Sequence, residues 1–134
     1  MSVLVDTSVW SLALRRDGAP SCPEVKALSA CLGGENAVLT TGLILQELLQ
    51  GFHGPTHRRE ILSRFAVLPV LSPDRETHVE AAAVRNACRR RGVQVGTIDA
   101  LIAQLCIQHG CSLLTADRDF QAVARLSALQ LLKV

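Results

Sequence analysis

Short apolar runs alternate with longer helical patterns along this chain, and that alternation constrains the fold more than any other feature. Residues 2–5, 37–40, 67–71, 111–115 and 129–132 read as strands. Helical patterns fill 9–14, 23–32, 43–50, 56–65, 73–91, 97–109 and 120–126. Several boundaries carry their own signals. Thr7 or Ser8 opens the first helix, Pro23 lies near the start of the second, and Gly33-Gly34 follows its end. Gly92 and Gly110 stand behind two later helices, and Pro69 interrupts the third strand. Short apolar strands separated by helices predict a mainly parallel sheet covered on both faces. In such sheets, sites gather beyond the carboxyl ends of the strands.

The length of 134 residues fits one domain spanning 1–134, with no repeat or linker. A hydrophobic fraction of 49% and a mean hydropathy of +0.27 argue against disorder. No apolar stretch approaches the roughly 20 residues that span a bilayer, and no basic segment precedes the first apolar run. A cytoplasmic protein without membrane contact is expected. The five cysteines are odd in number and lack C-x-x-C spacing, as reduced thiols would be. A net charge of +2 is too mild to identify a nucleic-acid binder. Its quality says more, because every basic residue except Lys26 and Lys133 is an arginine. Arg85, Arg89, Arg90 and Arg91 form the densest cluster, suited either to phosphate contacts or to a solvated helix end.

Carboxylates stand in positions that core packing does not request. Asp6 ends the run "SVLVD", and Asp117 follows the strand "CSLLT" by two residues. Both acids therefore lie at the same edge of a parallel sheet. In "TIDALIAQLCIQHG", Asp99 shares a helix face with Ile102, Ala103 and Cys106, opposite Gln104 and Gln108. A charge on such a face is costly unless it is paired, protonated or metal-bound, although Asp99 also suits an N-cap. In "LILQELLQG", Glu47 has Leu43 and Ile44 on its own face. Gathered without counter-charge, four carboxylates would repel one another. A hard cation such as Mg²⁺ relieves that repulsion and can serve phosphoryl chemistry. Thr7, Ser8 and Thr115 are placed to orient the acids. The histidines compete poorly as ligands, since Gly54-Pro55 separates His53 from His57 while His78 and His109 stand alone.

"VLVDTSVW", "LILQELLQG", "TIDALIAQL" and "LLTADRDF" occur in that order, and together they resemble a PIN domain, more narrowly a VapC-type toxin of a type II toxin–antitoxin pair. The resemblance spans nearly the whole chain. It implies a three-layer α/β/α sandwich and an acidic quartet of Asp6, Glu47, Asp99 and Asp117, with Asp6 and Asp99 the firmest metal ligands. Asp119 also lies within range of the last position. It further implies a Mg²⁺- or Mn²⁺-dependent endoribonuclease, an RNA substrate, a cognate antitoxin and a homodimer. A receiver domain would need a lysine at a late strand end, and "CSLLT" has none. A dehalogenase-type phosphatase would need D-x-D, and Ser8 occupies the second position. A PIN nuclease of RNA processing and a non-cleaving binding module remain as alternatives.

Overall fold

The structure, a computed structural model, describes residues 1–15 and 22–134. The chain opens with strand β1, Ser2–Val5, followed by helices α1, Thr7–Leu14, and α2, Pro23–Gly33. Strand β2, Ala37–Thr41, leads into α3, Gly42–Gly51, and α4, Pro55–Phe65. Strand β3, Val70–Leu71, leads into α5, Arg75–Arg90, and α6, Thr97–His109. Strand β4, Ser112–Leu114, and helix α7, Asp119–Leu126, complete the order.

The four strands form a parallel sheet in the order β3-β2-β1-β4. Val3, Leu4 and Val5 of the central strand β1 are 0% exposed, so both faces of the sheet are covered. On one side α1 packs against α2 and α3, and α3 against α4, with Trp10 and Phe65 rings 4.9 Å apart. On the other, α5 packs against α6 and α7. The expected three-layer sandwich is thus present. No helix among the described residues is long and apolar enough to cross a membrane.

The strand order positions the site. The chain winds outward from β1 through β2 to β3, then returns across the sheet to place β4 on the other side of β1. The direction of winding therefore reverses between β1 and β4, and a crevice opens there beyond the strand ends.

Several boundaries differ from the sequence reading. The fifth strand at 129–132 shrinks to a single bridge between Leu131 and Leu113, although Leu113 N–H still donates to the Gln130 carbonyl. The third strand loses its first half to a turn in which Leu68 N–H donates to the Phe65 carbonyl. The long helix begins at Arg75, because Asp74 accepts the Thr77 N–H and Thr77 accepts the Asp74 N–H in a reciprocal cap. Gln104, opposite the Asp99 face, is also only 9% exposed, since α6 packs against both α5 and β4. Gln108 remains exposed at its edge and accepts the Thr77 hydroxyl. α6 ends at Gly110, whose φ of +63° is the left-handed cap conformation that glycine adopts without strain.

Candidate active site

Asp6 follows directly after β1 and occupies the N-cap position of α1, yet its carboxylate caps nothing. It is turned across the crevice. Ser8 Oγ donates to Asp6 Oδ2 at 2.7 Å, and Thr115 Oγ1 donates to the same oxygen at 2.9 Å. The two hydroxyls are themselves held by main chain: Ala116 N–H donates to Ser8 Oγ and Asp117 N–H to Thr115 Oγ1, each at 3.0 Å. Each hydroxyl accepts from an amide while donating to the carboxylate, an arrangement in which successive bonds strengthen one another. The ends of β1 and β4 are thereby tied together around Asp6, which is only 6% exposed. Its second oxygen, Oδ1, accepts no hydrogen bond among the described residues.

The other acids follow a similar pattern. Thr7 Oγ1 donates to Glu47 Oε1 at 2.8 Å, linking the start of α1 to the exposed carboxylate on α3. Asp117 Oδ1 accepts the Asp119 N–H at 2.9 Å and so opens α7 as a turn residue. Glu47 and Asp117 each keep one carboxylate oxygen outside any hydrogen bond among the described residues. Asp99 lies in the first turn of α6, where the cap position belongs to Gly96 and carries no side-chain cap bond. The capping role open to Asp99 in the sequence is therefore not the one it fills. Its face-mates Ile102, Ala103 and Cys106 are all buried, as the helical periodicity predicts.

Convergence of the acids is written into the electrostatics of Asp99. Burial is the largest influence raising its pKa, followed by the charges of Asp6, Asp117, Glu47 and Asp119, and together they push it to about 6. No basic side chain among the described residues forms an ion pair with these acids. The one ion pair among the described residues joins Arg64 and Glu60, on α4. At the same time, no three of these side chains close on a common point as a ready-made cation site among the described residues. The acids share a field without yet sharing a centre. All the donors offered are carboxylate and hydroxyl oxygens, the set that suits Mg²⁺ or Mn²⁺ rather than a soft metal.

The expected arginine cluster divides. Arg85 Nε donates to the Val95 carbonyl at 2.8 Å and braces the turn between α5 and α6. Arg89, Arg90 and Arg91 are exposed at the end of α5. Because α5 and α6 are antiparallel neighbours, that end lies beside the start of α6, where Asp99 sits. The cysteines are free thiols, four of them buried.

Sequence reasoning placed Thr7, Ser8 and Thr115 near the acids but not their pairing. The hydroxyl after each strand end was the available signal. What it could not convey was that Ser8 and Thr115 grip one oxygen together.

The PIN domain family profile matches residues 3–126. Ribonuclease VapC11 of Mycobacterium tuberculosis is 33% identical over 130 residues, covering 96% of each chain. Among solved structures, VapBC-1 from nontypeable Haemophilus influenzae has a TM-score of 0.76 at 18% identity, covering 99% of this chain and 98% of its own. VapBC2 from Rickettsia felis, bound to a DNA fragment from its promoter, has a TM-score of 0.75 at 18% identity and covers 98% of both chains. With its sheet order, its strand-end acids and a relative matching it almost end to end, the chain belongs to the PIN domain family.

Proposed function

We propose that this protein is a metal-dependent endoribonuclease and the toxin of a type II toxin–antitoxin pair, acting in the cytoplasm. One observation carries the reading: the charges of Asp6, Asp117, Glu47 and Asp119 all bear on the half-buried Asp99 carboxyl, and among the described residues none of these acids has an ion-pair partner. Such a group is expensive to keep unless an ion is its purpose. The relative named Ribonuclease VapC11 and the structures named VapBC support RNA as the substrate class and an antitoxin as the partner.

Asp6 and Asp99 would hold the ion, with Glu47 and Asp117, or Asp119, completing its surroundings. When bound, a divalent cation neutralises the gathered charge and stabilises the phosphoryl transition state. The chain's own part is orientation. Ser8 and Thr115 fix the Asp6 carboxylate through Oδ2, leaving Oδ1 without a hydrogen bond among the described residues, and Thr7 holds one oxygen of Glu47. Water attacks the phosphorus, the bond to the 3′ oxygen breaks, and that oxygen takes a proton. The products carry 5′-phosphate and 3′-hydroxyl ends. Exposed Arg89, Arg90 and Arg91 assist by contacting RNA phosphates, with Arg85 bracing the turn beside them.

Purified protein incubated with RNA should cut it in Mg²⁺ or Mn²⁺, and not in excess chelator or as Asp6→Asn. Equal cleavage in chelator would overturn the mechanism. Co-purification with the product of a neighbouring small reading frame tests the toxin assignment, and sedimentation tests the expected homodimer.

A further inference from the structure

A cleft of about 550 Å³ adjoins the acids on the β4 side of the sheet. Thr115 and Asp117 of the candidate site line it, and Arg118, Gln121, Lys133 and Glu24 are its other polar residues, beside apolar side chains of the C-terminal segment. The cleft is thus continuous with the residues that hold Asp6.

Two of these side chains are cations that make no ion pair among the described residues. Arg118 stands between Asp117 and Asp119 in sequence, yet it pairs with neither among the described residues. Asp117 is occupied with the Asp119 N–H. Arg118 fills the N-cap position of α7 without a side-chain cap bond, so its guanidinium has no role in starting the helix. Glu24 accepts the Cys22 thiol at 2.8 Å and makes no ion pair with Lys133 among the described residues. Both cations are exposed. Gln121, one turn along α7 from Arg118, adds an uncharged donor to the same cleft.

An incoming polyanion meets a strongly negative centre here. A metal ion answers that charge only at the phosphate being cut, and the phosphates on either side still approach the same carboxylates. Cations placed beside the acids, within a cleft of this volume, solve this problem. Arg offers a fork matched to phosphate oxygens and Lys a mobile point charge.

We infer that Arg118 and Lys133 are positioning residues that seat an RNA phosphate adjacent to the scissile one in this cleft. The inference rests on the proposed RNA cleavage. The cleft is a separate place on the fold from the end of α5, where Arg89, Arg90 and Arg91 stand.

The test uses the full chain and a labelled single-stranded RNA. Binding is measured across salt concentrations in the Asp6→Asn background, with and without R118Q and K133Q. Each lost contact to a single strand should reduce the slope of log affinity against log salt by about 0.7. A fourfold rise in salt should therefore weaken the double variant about sevenfold less than its parent. In the active background, R118Q and K133Q should raise KM more than they lower kcat, and R118K and K133R should restore most of the salt slope. Unchanged melting temperatures would show that the exposed substitutions leave the fold intact. If the wild type cuts RNA and the Asp6→Asn parent binds it, while R118Q/K133Q in that background keeps the parental slope, the inference is overturned and the proposed function stands. If the wild type neither binds nor cuts RNA in Mg²⁺ or Mn²⁺, both are overturned.

Discussion

Replacing Asp99 by Asn should make the metal-free protein more stable and abolish its activity. The magnitude follows from the field around this carboxyl. In the folded protein its pKa is raised from 3.8 to about 6, first by burial and then by Asp6, Asp117, Glu47 and Asp119. A raised carboxyl pKa means that the folded state holds a proton the unfolded state has released. Below about pH 4 the group is protonated in both states and costs nothing. As pH rises from about 4 to 6, the folded protein loses stability relative to the unfolded chain, and above pH 6 the loss is complete. At about 1.4 kcal/mol per pKa unit, the full displacement corresponds to about 3 kcal/mol. Asp99 is only partly buried, so solvent screening reduces the expected penalty to about 1–2 kcal/mol. Asn does not titrate and keeps the side chain's shape. In chelator at pH 8 the variant should therefore melt roughly 4–8 °C higher than wild type, and at pH 4 the two should coincide. Adding Mg²⁺ should stabilise the wild type, by about 2.7 kcal/mol at a hundredfold excess over Kd, and the variant by less. The assay is thermal melting at pH 4, 6 and 8, in chelator and in Mg²⁺, beside RNA cleavage. A variant no more stable than wild type at pH 8 in chelator would refute the electrostatic reasoning. A variant that still cuts at the wild-type rate would remove Asp99 from the catalytic group.

Ser8→Ala and Thr115→Val each take a hydrogen bond from the buried Asp6 carboxylate. Each should cost roughly 1.5–3 kcal/mol of stability, with a loss of cleavage, by denaturant titration and rate measurement; full activity in both would show that Asp6 needs no orientation. Asp117 serves the fold and the proposed site through different oxygens. Asp117→Asn should keep the turn that opens α7 and lose activity, whereas Asp117→Ala should lose activity and about 1 kcal/mol of stability as well. Equal melting of the two variants would mean that the turn bond contributes nothing.

The sequence by itself determined what depends on neighbours along the chain. Val3, Leu4 and Val5 are apolar without alternation, which only a strand buried on both faces requires, and all three are fully buried. Gly110 after His109 announced a helix end that needed a left-handed residue. Asp6 announced itself because a carboxylate at the close of a buried strand has few structural reasons to exist. The family resemblance rested on motifs of this local kind, and it carried the expected three-layer architecture.

What only the tertiary structure decided depends on strand order. The sequence predicts a parallel sheet but not that β4 returns to lie beside β1, and that return creates the crevice. Thr115 reaches Asp6 across 109 positions, and Thr7 reaches Glu47 across 40. Periodicity set Gln104 opposite the Asp99 face, but it cannot report that the helix is packed between α5 and β4 and that Gln104 is buried as well. The last strand shortened to a bridge for a related reason: it lies at the edge of the sheet, where pairing comes from β4 alone. Arg118 and Lys133 sit far apart in a list of scattered basic residues until the fold brings both to one cleft. Local patterns reflect burial and backbone geometry, which act over a few residues. A shared oxygen or a shared cleft is set by which surfaces the folded layers press together, and that information resides in the packing of the whole chain.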